Sequence, residues 1–239
     1  MSGKDILISV RNVGVRFMSR RSLFNRDYVE ALKDVSFDFH HGDSLGVIGR
    51  NGAGKTTLLR LLGGIIHPDT GEIINNDAST ALLSLQVGFD PELSGRINVV
   101  LSGMMLGFDR NYVEENLDKI IAFSELGEVI DRPVKSYSTG MSARLGFSVA
   151  LELNPDVLLI DEVMGVGDVE FREKSTAVMK EKLLSDQSII LVSHSAGTVK
   201  NLCNRAVWIE DGVTQMEGDS AEVVEAYERY ICDNGKGKK

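Results

Sequence analysis

The sequence predicts an α/β fold in which a parallel-sheet core is interrupted by a helical lobe. Three observations carry this reading. The apolar run Ser44 to Ile48 ends at glycine and passes through a glycine-rich turn into helical spacing. From Ile97 to about Leu153 the spacing is helical, with helices predicted at Val113 to Phe123 and Ala143 to Leu153. Strand character then returns at Val157 to Ile160, Ser188 to Val192 and Arg205 to Ile209, with helical stretches between, the alternation that builds a parallel sheet.

The remaining elements follow in chain order. Val10 to Phe17 and Val35 to Phe39 alternate apolar with other residues and are predicted strands. Thr57 to Leu62 reads as the start of a helix. Gly71 to Ile74 and Thr80 to Leu85 read as short strands separated by the turn-prone Asn75, Asn76 and Asp77. Beyond Pro91 the helical lobe begins. Ala221 to Cys232 is a predicted helix, and the Gly- and Lys-rich tail to Lys239 is expected to be loose.

Composition narrows the function. With 43% hydrophobic and 26% charged residues and only 4 Pro in 239, the chain reads as one globular unit rather than a disordered or fibrous one. Its 35 acidic against 26 basic residues give a net charge of -9, which disfavours a nucleic-acid partner. Cys203 and Cys232 have no metal-type spacing and imply no disulfide framework, as for reduced thiols in the cytosol. The opening MSGKDILISV lacks the apolar stretch of a signal peptide, and uncharged stretches such as Ile97 to Phe108 are too short to span a bilayer.

Gly49-Arg50-Asn51-Gly52-Ala53-Gly54-Lys55-Thr56 matches G-x-x-x-x-G-K-[ST] in full, between a predicted strand and a predicted helix. Glycines let such a loop curl so that backbone N–H groups point at phosphate oxygens, and the helix N-terminus adds favourable partial charge. Lys55 is placed to reach the β and γ phosphates, the Thr56 hydroxyl to bind Mg²⁺, and Thr57 to continue the cradle into the helix. Farther on, Tyr137-Ser138-Thr139-Gly140-Met141 is a serine and glycine turn opening a helix, and the apolar strand Val157 to Ile160 runs into the paired acids Asp161 and Glu162.

In this order the motifs resemble the ATP-binding cassette family over nearly the whole chain. The phosphate loop is followed by Gln86 in a Q-loop, Tyr137 to Met141 as the signature, Asp161-Glu162 as the end of the Walker B strand, Asp168 in the D-loop and His194 as the switch histidine. The resemblance implies a P-loop NTPase fold with an N-terminal antiparallel β subdomain and an inserted helical subdomain. One domain of residues 1–239 is expected: a core of about 1–90 and 154–220, a helical part of about 91–153, and a C-terminal helix and tail of about 221–239. It further implies ATP and Mg²⁺ as ligands and a head-to-tail homodimer, in which Ser138 and Gly140 of one copy close on the nucleotide held by the other.

The implied roles attach residue by residue. Asp161 holds Mg²⁺, with Thr56 and Gln86; Glu162 orients and polarises the attacking water; His194 contacts the γ phosphate; Gln86 links the ion to a partner subunit. An aromatic residue stacks on adenine, with Phe17 in the usual place and Tyr28 as the alternative.

Three departures from the commonest cassette pattern narrow the branch: Tyr-Ser-Thr-Gly-Met at 137–141, Val163 after the acids, and Gly165-Val166-Gly167-Asp168. With Gly88 to Arg96, these look like the nucleotide-binding subunits of exporters of lipid-linked polysaccharide, of O-antigen, capsule or teichoic acid type. The resemblance implies two copies of an integral-membrane subunit as partners and a peripheral place at the cytoplasmic face of the inner membrane. Other transporter ATPases, and less so soluble cassette ATPases, are the alternatives. The chain ends soon after its last predicted helix, so the added carbohydrate-binding domain of some O-antigen members is not expected. Arg11, Arg16, Arg20, Arg21 and Arg26 form a basic island without an acid, and the predicted loop Met18 to Asp27 is a candidate for contact with anionic headgroups.

Overall fold

The computed structural model describes residues 5–20, 26–83, 88–161, 167–183 and 185–235. The elements run β1 (Ile6–Arg20), β2 (Arg26–His40), β3 (Ser44–Ile48), α1 (Lys55–Leu62), β4 (Thr70–Asn75), β5 (Thr80–Leu82), α2 (Gly95–Met105) and α3 (Arg110–Ser124). Then come α4 (Thr139–Glu152), β6 (Val157–Asp161), α5 (Val169–Leu183), β7 (Ser188–Val192), α6 (Ala196–Leu202), β8 (Arg205–Glu210), β9 (Val213–Asp219) and α7 (Ser220–Gly235). They divide between two compact units, Met1–Ala78 with Asp186–Lys239, and Ser79–Ser185.

In the first unit the strands lie in the order β4-β1-β2-β9-β8-β3-β7. β1 is antiparallel to β2 and to β4, and β3 is parallel to both β7 and β8. The two halves differ for a sequence reason. β3 and β7 are buried at every residue, as a parallel strand covered on both faces must be, and so read as unbroken apolar runs. In β1, Ile8, Val10, Val13 and Val15 are buried while Arg16 and Phe17 are exposed, the partial alternation of a sheet with a solvated face. The hairpin is longer than the sequence suggested. Met18 pairs with Tyr28 and Arg20 with Arg26, because the β-favouring Tyr28 and Val29 extend β2 through much of the predicted loop. Residues 21–25 of that loop, Arg21 included, lie outside the described residues.

The second unit holds the parallel pair β5 and β6, registered Thr80 to Val157 and Leu82 to Leu159, and helices α2 to α5. Its core is the cluster Val99, Val113, Ile120, Leu126, Ile130, Leu145, Val149 and Leu153, drawn from α2, α3, α4 and the turns between. The helical lobe expected at about 91–153 is therefore present but belongs to a wider unit, because the β5 and β6 pair and α5 group with it. β5 stops at Leu82, short of the expected Leu85, although the Leu83 N–H still donates to the Leu159 carbonyl at 2.9 Å. Among the described residues, no helix is long and apolar enough to cross a membrane.

Candidate nucleotide-binding site

The phosphate loop leaves the end of β3 and enters α1 within six residues. Gly49 has φ +155, and a Cβ there would stand 2.0 Å from the Ile209 carbonyl oxygen. Gly54 caps α1 with φ +100, and a Cβ there would stand 2.4 Å from the Ala31 carbonyl oxygen. Only glycine meets both demands. α1 has no acid in its first turn and no side-chain cap, so its N-terminal partial charge is left to an anion. Lys55 is buried, and its Nζ donates to the carbonyls of Gly49 at 2.7 Å and Arg50 at 3.1 Å. A cation folded into its own loop by two carbonyls is arranged to exchange them for stronger acceptors, phosphate oxygens.

Around it, Ala53 is buried and its N–H donates to the Arg50 carbonyl at 3.1 Å, while Asn51, Gly52 and Thr56 are exposed and Thr57 is half-buried. The Arg50 guanidinium turns aside: its Nε donates to the buried Glu210 carboxylate, and its carbon lies 5.7 Å from the Tyr230 ring centre. Glu210 holds the guanidinium pKa above its ordinary value.

His194 arrives at the same sheet edge by register. Val47 pairs with Val192 in parallel, and Gly49 and His194 each lie two residues beyond. The Ser193 N–H extends the ladder to the Val47 carbonyl at 3.2 Å. His194 itself is exposed in the bend before α6, past the end of β7 at Val192. Phe17 is 41% exposed and Tyr28 56%, so neither is a core residue. They face opposite sides, since Phe17 pairs with Val29 and Met18 with Tyr28. Phe17 shares its face with Val15, the partner of Leu32, and the Leu32 side chain lies against Gly54. That face meets the phosphate loop.

In the second unit, Asp161 ends β6, half-buried. The signature turn opens α4: Ser138 is its N-cap, and its Oγ accepts from the Met141 N–H at 3.2 Å. Tyr137 donates its hydroxyl to the Val129 carbonyl at 2.9 Å, and Met141 packs on the helical core. Two of the three side chains that depart from the usual motif, Tyr137 and Met141, thus anchor the turn. Ser138 and Gly140 line a cavity of about 460 Å³ with Met141, Arg144, Gly167 and Asp168. Asp168 is engaged twice, by Arg144 through an ion pair and by the Phe171 N–H at 3.1 Å. Gln86 and Glu162, with Val163, Gly165 and Val166, lie outside the described residues.

Among the described residues no group of three His, Cys, Asp or Glu could hold a metal ion by itself. The Thr56 hydroxyl and the Asp161 carboxylate are each hard oxygen donors of the kind Mg²⁺ takes.

Three residues escaped the sequence reading. Arg144 ties α4 to Asp168 and lies 5.1 Å from the Phe171 ring centre. Asn98 is fully buried, accepts from the Asp90 N–H at 2.6 Å and donates to the carbonyls of Asp90, Leu93 and Ser94, fixing the loop after residue 88. Glu210 is an acid ending the buried strand β8, a signal of the same kind as Asp161 that no motif flagged.

The family profile described as ABC transporter matches residues 32–165. An O-antigen export system ATP-binding protein of Klebsiella pneumoniae is 42% identical over 88% of this chain and 85% of its own length. One from Myxococcus xanthus is 43% identical over 89% of the chain, and a teichoic acids export ATP-binding protein of Listeria innocua is 39% identical over 84%. The chain spans about half of the Myxococcus protein, 48%, and 60% of the Listeria one. Among solved structures, an ATP-binding subunit of an ABC transporter superposes with a TM-score of 0.70 at 20% identity, covering 93% of each chain. A dimeric ATP-binding cassette in a post-hydrolysis state with ADP and Pi superposes with a TM-score of 0.67 at 20% identity, over 89% of this chain and 98% of that one. These two share the fold. With its phosphate loop inside the matched span and relatives aligned over most of its length, the chain belongs to the ABC transporter family.

Proposed function

We propose that this chain is the ATP-hydrolysing subunit of an exporter that moves a lipid-linked polysaccharide, of O-antigen, capsule or teichoic acid type, across the cytoplasmic membrane. One observation carries the reading. The chain departs from the common cassette pattern at Tyr137, Thr139, Met141 and Val163, and the relatives it matches at about 40% identity are named for O-antigen and teichoic acid export. Two copies stand head to tail. The loop Gly49 to Thr57 of one and Ser138 and Gly140 of the other enclose each ATP, with Phe17 against the base. Thr56, Gln86 and Asp161 hold Mg²⁺, Glu162 polarises the attacking water, and His194 meets the γ phosphate. Catalysis is then positioning and charge stabilisation rather than covalent chemistry.

The dimer sits at the inner face of the membrane, held by two copies of an integral-membrane subunit. Copurification of this chain with that subunit, followed by mass spectrometry, should recover a lipid-linked glycan, and adding the glycan should raise phosphate release. A complex that turns over ATP but neither retains nor responds to such a glycan sinks the export reading and leaves the ATPase standing.

A further inference from the structure

We propose that α7 sets the geometry of the phosphate loop, with Tyr230, Trp208 and Glu210 acting through Arg50 as positioning residues for nucleotide binding. The inference rests on reading the loop as the nucleotide site. It begins with two consecutive contacts at the end of β8. Gly49 lies so close to the Ile209 carbonyl that no Cβ fits, and the next residue, Arg50, reaches the next residue of β8, Glu210. The loop's first two residues are therefore seated on β8.

The second contact is electrostatic and is completed by α7. Glu210 is 4% exposed, and its carboxylate accepts from Arg50 Nε on one oxygen and from Trp208 Nε1, at 3.5 Å, on the other. The Trp208 ring lies 5.7 Å from Tyr227 and 5.0 Å from Tyr230, and Tyr230 also covers the Arg50 guanidinium. An aromatic ring on that face strengthens a cation and shields its ion pair from water. The peptide carrying this side chain is also the one whose carbonyl, with that of Gly49, accepts from Lys55. A line of contacts thus runs from α7 through Trp208, Glu210 and Arg50 to the lysine. For Lys55 to exchange those carbonyls for phosphate while the amides keep their cradle, the Gly49 and Arg50 peptides must stay in place. The half-exposed guanidinium, with 46% of its side chain in solvent, is what pins them.

Trp208 is the only tryptophan in the chain, so its emission reports on this joint. In the full chain, binding of MgADP, followed by calorimetry, should change Trp208 emission. Tyr230→Ala should weaken MgADP about fivefold to tenfold, the size of a lost cation–π contact, and Tyr230→Phe, which keeps the ring, should return to within about twofold of wild type. Arg50→Gln combined with Glu210→Gln removes the ion pair without stranding a buried charge. It should weaken MgADP to a similar degree and abolish the emission change, and it serves where Tyr230→Ala does not fold. Wild-type affinity in both Tyr230→Ala and the double variant, or nucleotide binding with no change in Trp208 emission, overturns the proposal. Lys55→Ala separates the two readings. If it weakens MgADP while the α7 variants do not, only the role of α7 falls; if it too binds normally, the nucleotide site has been misplaced.

Discussion

The phosphate loop and the signature turn are both glycine-containing turns that open a helix, yet they are built in opposite ways. The loop from Gly49 to Lys55 is fixed from inside: its glycines press on the carbonyls of Ile209 and Ala31, its lysine is buried, and its helix has no side-chain cap. The turn at Ser138 is exposed, satisfies its own helix with the Ser138 hydroxyl, and leaves ordinary space at Gly140, where a Cβ would meet nothing nearer than 3.8 Å. The first is an anion cradle that needs only its ligand. The second is a surface turn with room for a Cβ at its glycine, so that the proposed action on a partner's nucleotide, and not the protomer's own packing, is the reading under test.

The sharpest break of this comparison is Lys55→Ala. A cation that meets the transferring phosphate, as proposed for Lys55, contributes as strongly as other preorganised groups, so phosphate release should fall by about 100-fold or more, with the folded state retained. A loss below about tenfold would put the charge stabilisation elsewhere. Next in size is the contrast between glycines. Gly54→Ala combines a positive φ with a clash against backbone and should cost about 3 kcal/mol in chemical denaturation. Gly140→Ala has neither problem and should change stability by less than about 0.5 kcal/mol while slowing hydrolysis. Equal destabilisation by the two would mean that the signature glycine also serves the protomer's own packing.

Ser138 sharpens the comparison further, because it is the N-cap of α4 and, in the proposed dimer, a ligand of the partner's phosphates. Ser138→Ala should cost about 1 kcal/mol of stability from the lost N-cap. Ser138→Asp keeps an excellent cap and should restore the stability, yet it sets a negative charge against the partner's phosphates, so hydrolysis should stay low. Recovery of hydrolysis with the Asp variant would show that capping α4 is all that Ser138 does.

The same contrast explains what could be read in the sequence. The phosphate loop was legible because every constraint on it is local: the glycines, Lys55 and Thr56 lie within eight residues, and the strand and helix flank them. β3, β7 and the core of β6 were legible as apolar runs because both faces are buried. Arg144 and Glu210 were not, since their partners, Asp168 and Arg50, come from distant segments: an arginine in a helix has no local signature, and the acid at the end of β8, though visible, stands in no motif that marks its partner. The hairpin of β1 and β2 was cut short in the reading for a related reason. Ser19, Arg20, Arg26 and Asp27 look like loop residues, and only the cross-strand register from Met18 to Tyr28 makes them strand. Unit boundaries at Ser79 and Ser185 likewise depend on which strand β5 chooses as partner, a long-range matter.

The smallest effect concerns the sheet on which the loop rests, compared with the surface of the helical unit. Asp38 is half-buried. Burial alone raises its pKa, but hydrogen bonds from Ser9 at 2.6 Å and Arg11 at 2.6 Å outweigh it and hold the carboxyl below the ordinary carboxylate value. Asp131 has its pKa lowered by its hydrogen bond to Arg96 and is exposed, where solvent screens the pair. A carboxylate whose folded pKa is depressed contributes stability above its unfolded pKa and loses it as pH falls through the folded one. Asp38→Asn should therefore lower the melting temperature at neutral pH, by the equivalent of less than about 1 kcal/mol, and the difference from wild type should close as the pH drops below the ordinary carboxylate range. Asp131→Asn should show no measurable gap at any pH. A gap for Asp38→Asn that persists undiminished in acid would assign its effect to lost packing against Arg11 and Ser9 rather than to charge, and the β1 to β2 platform beneath Gly54 would then be held by shape alone.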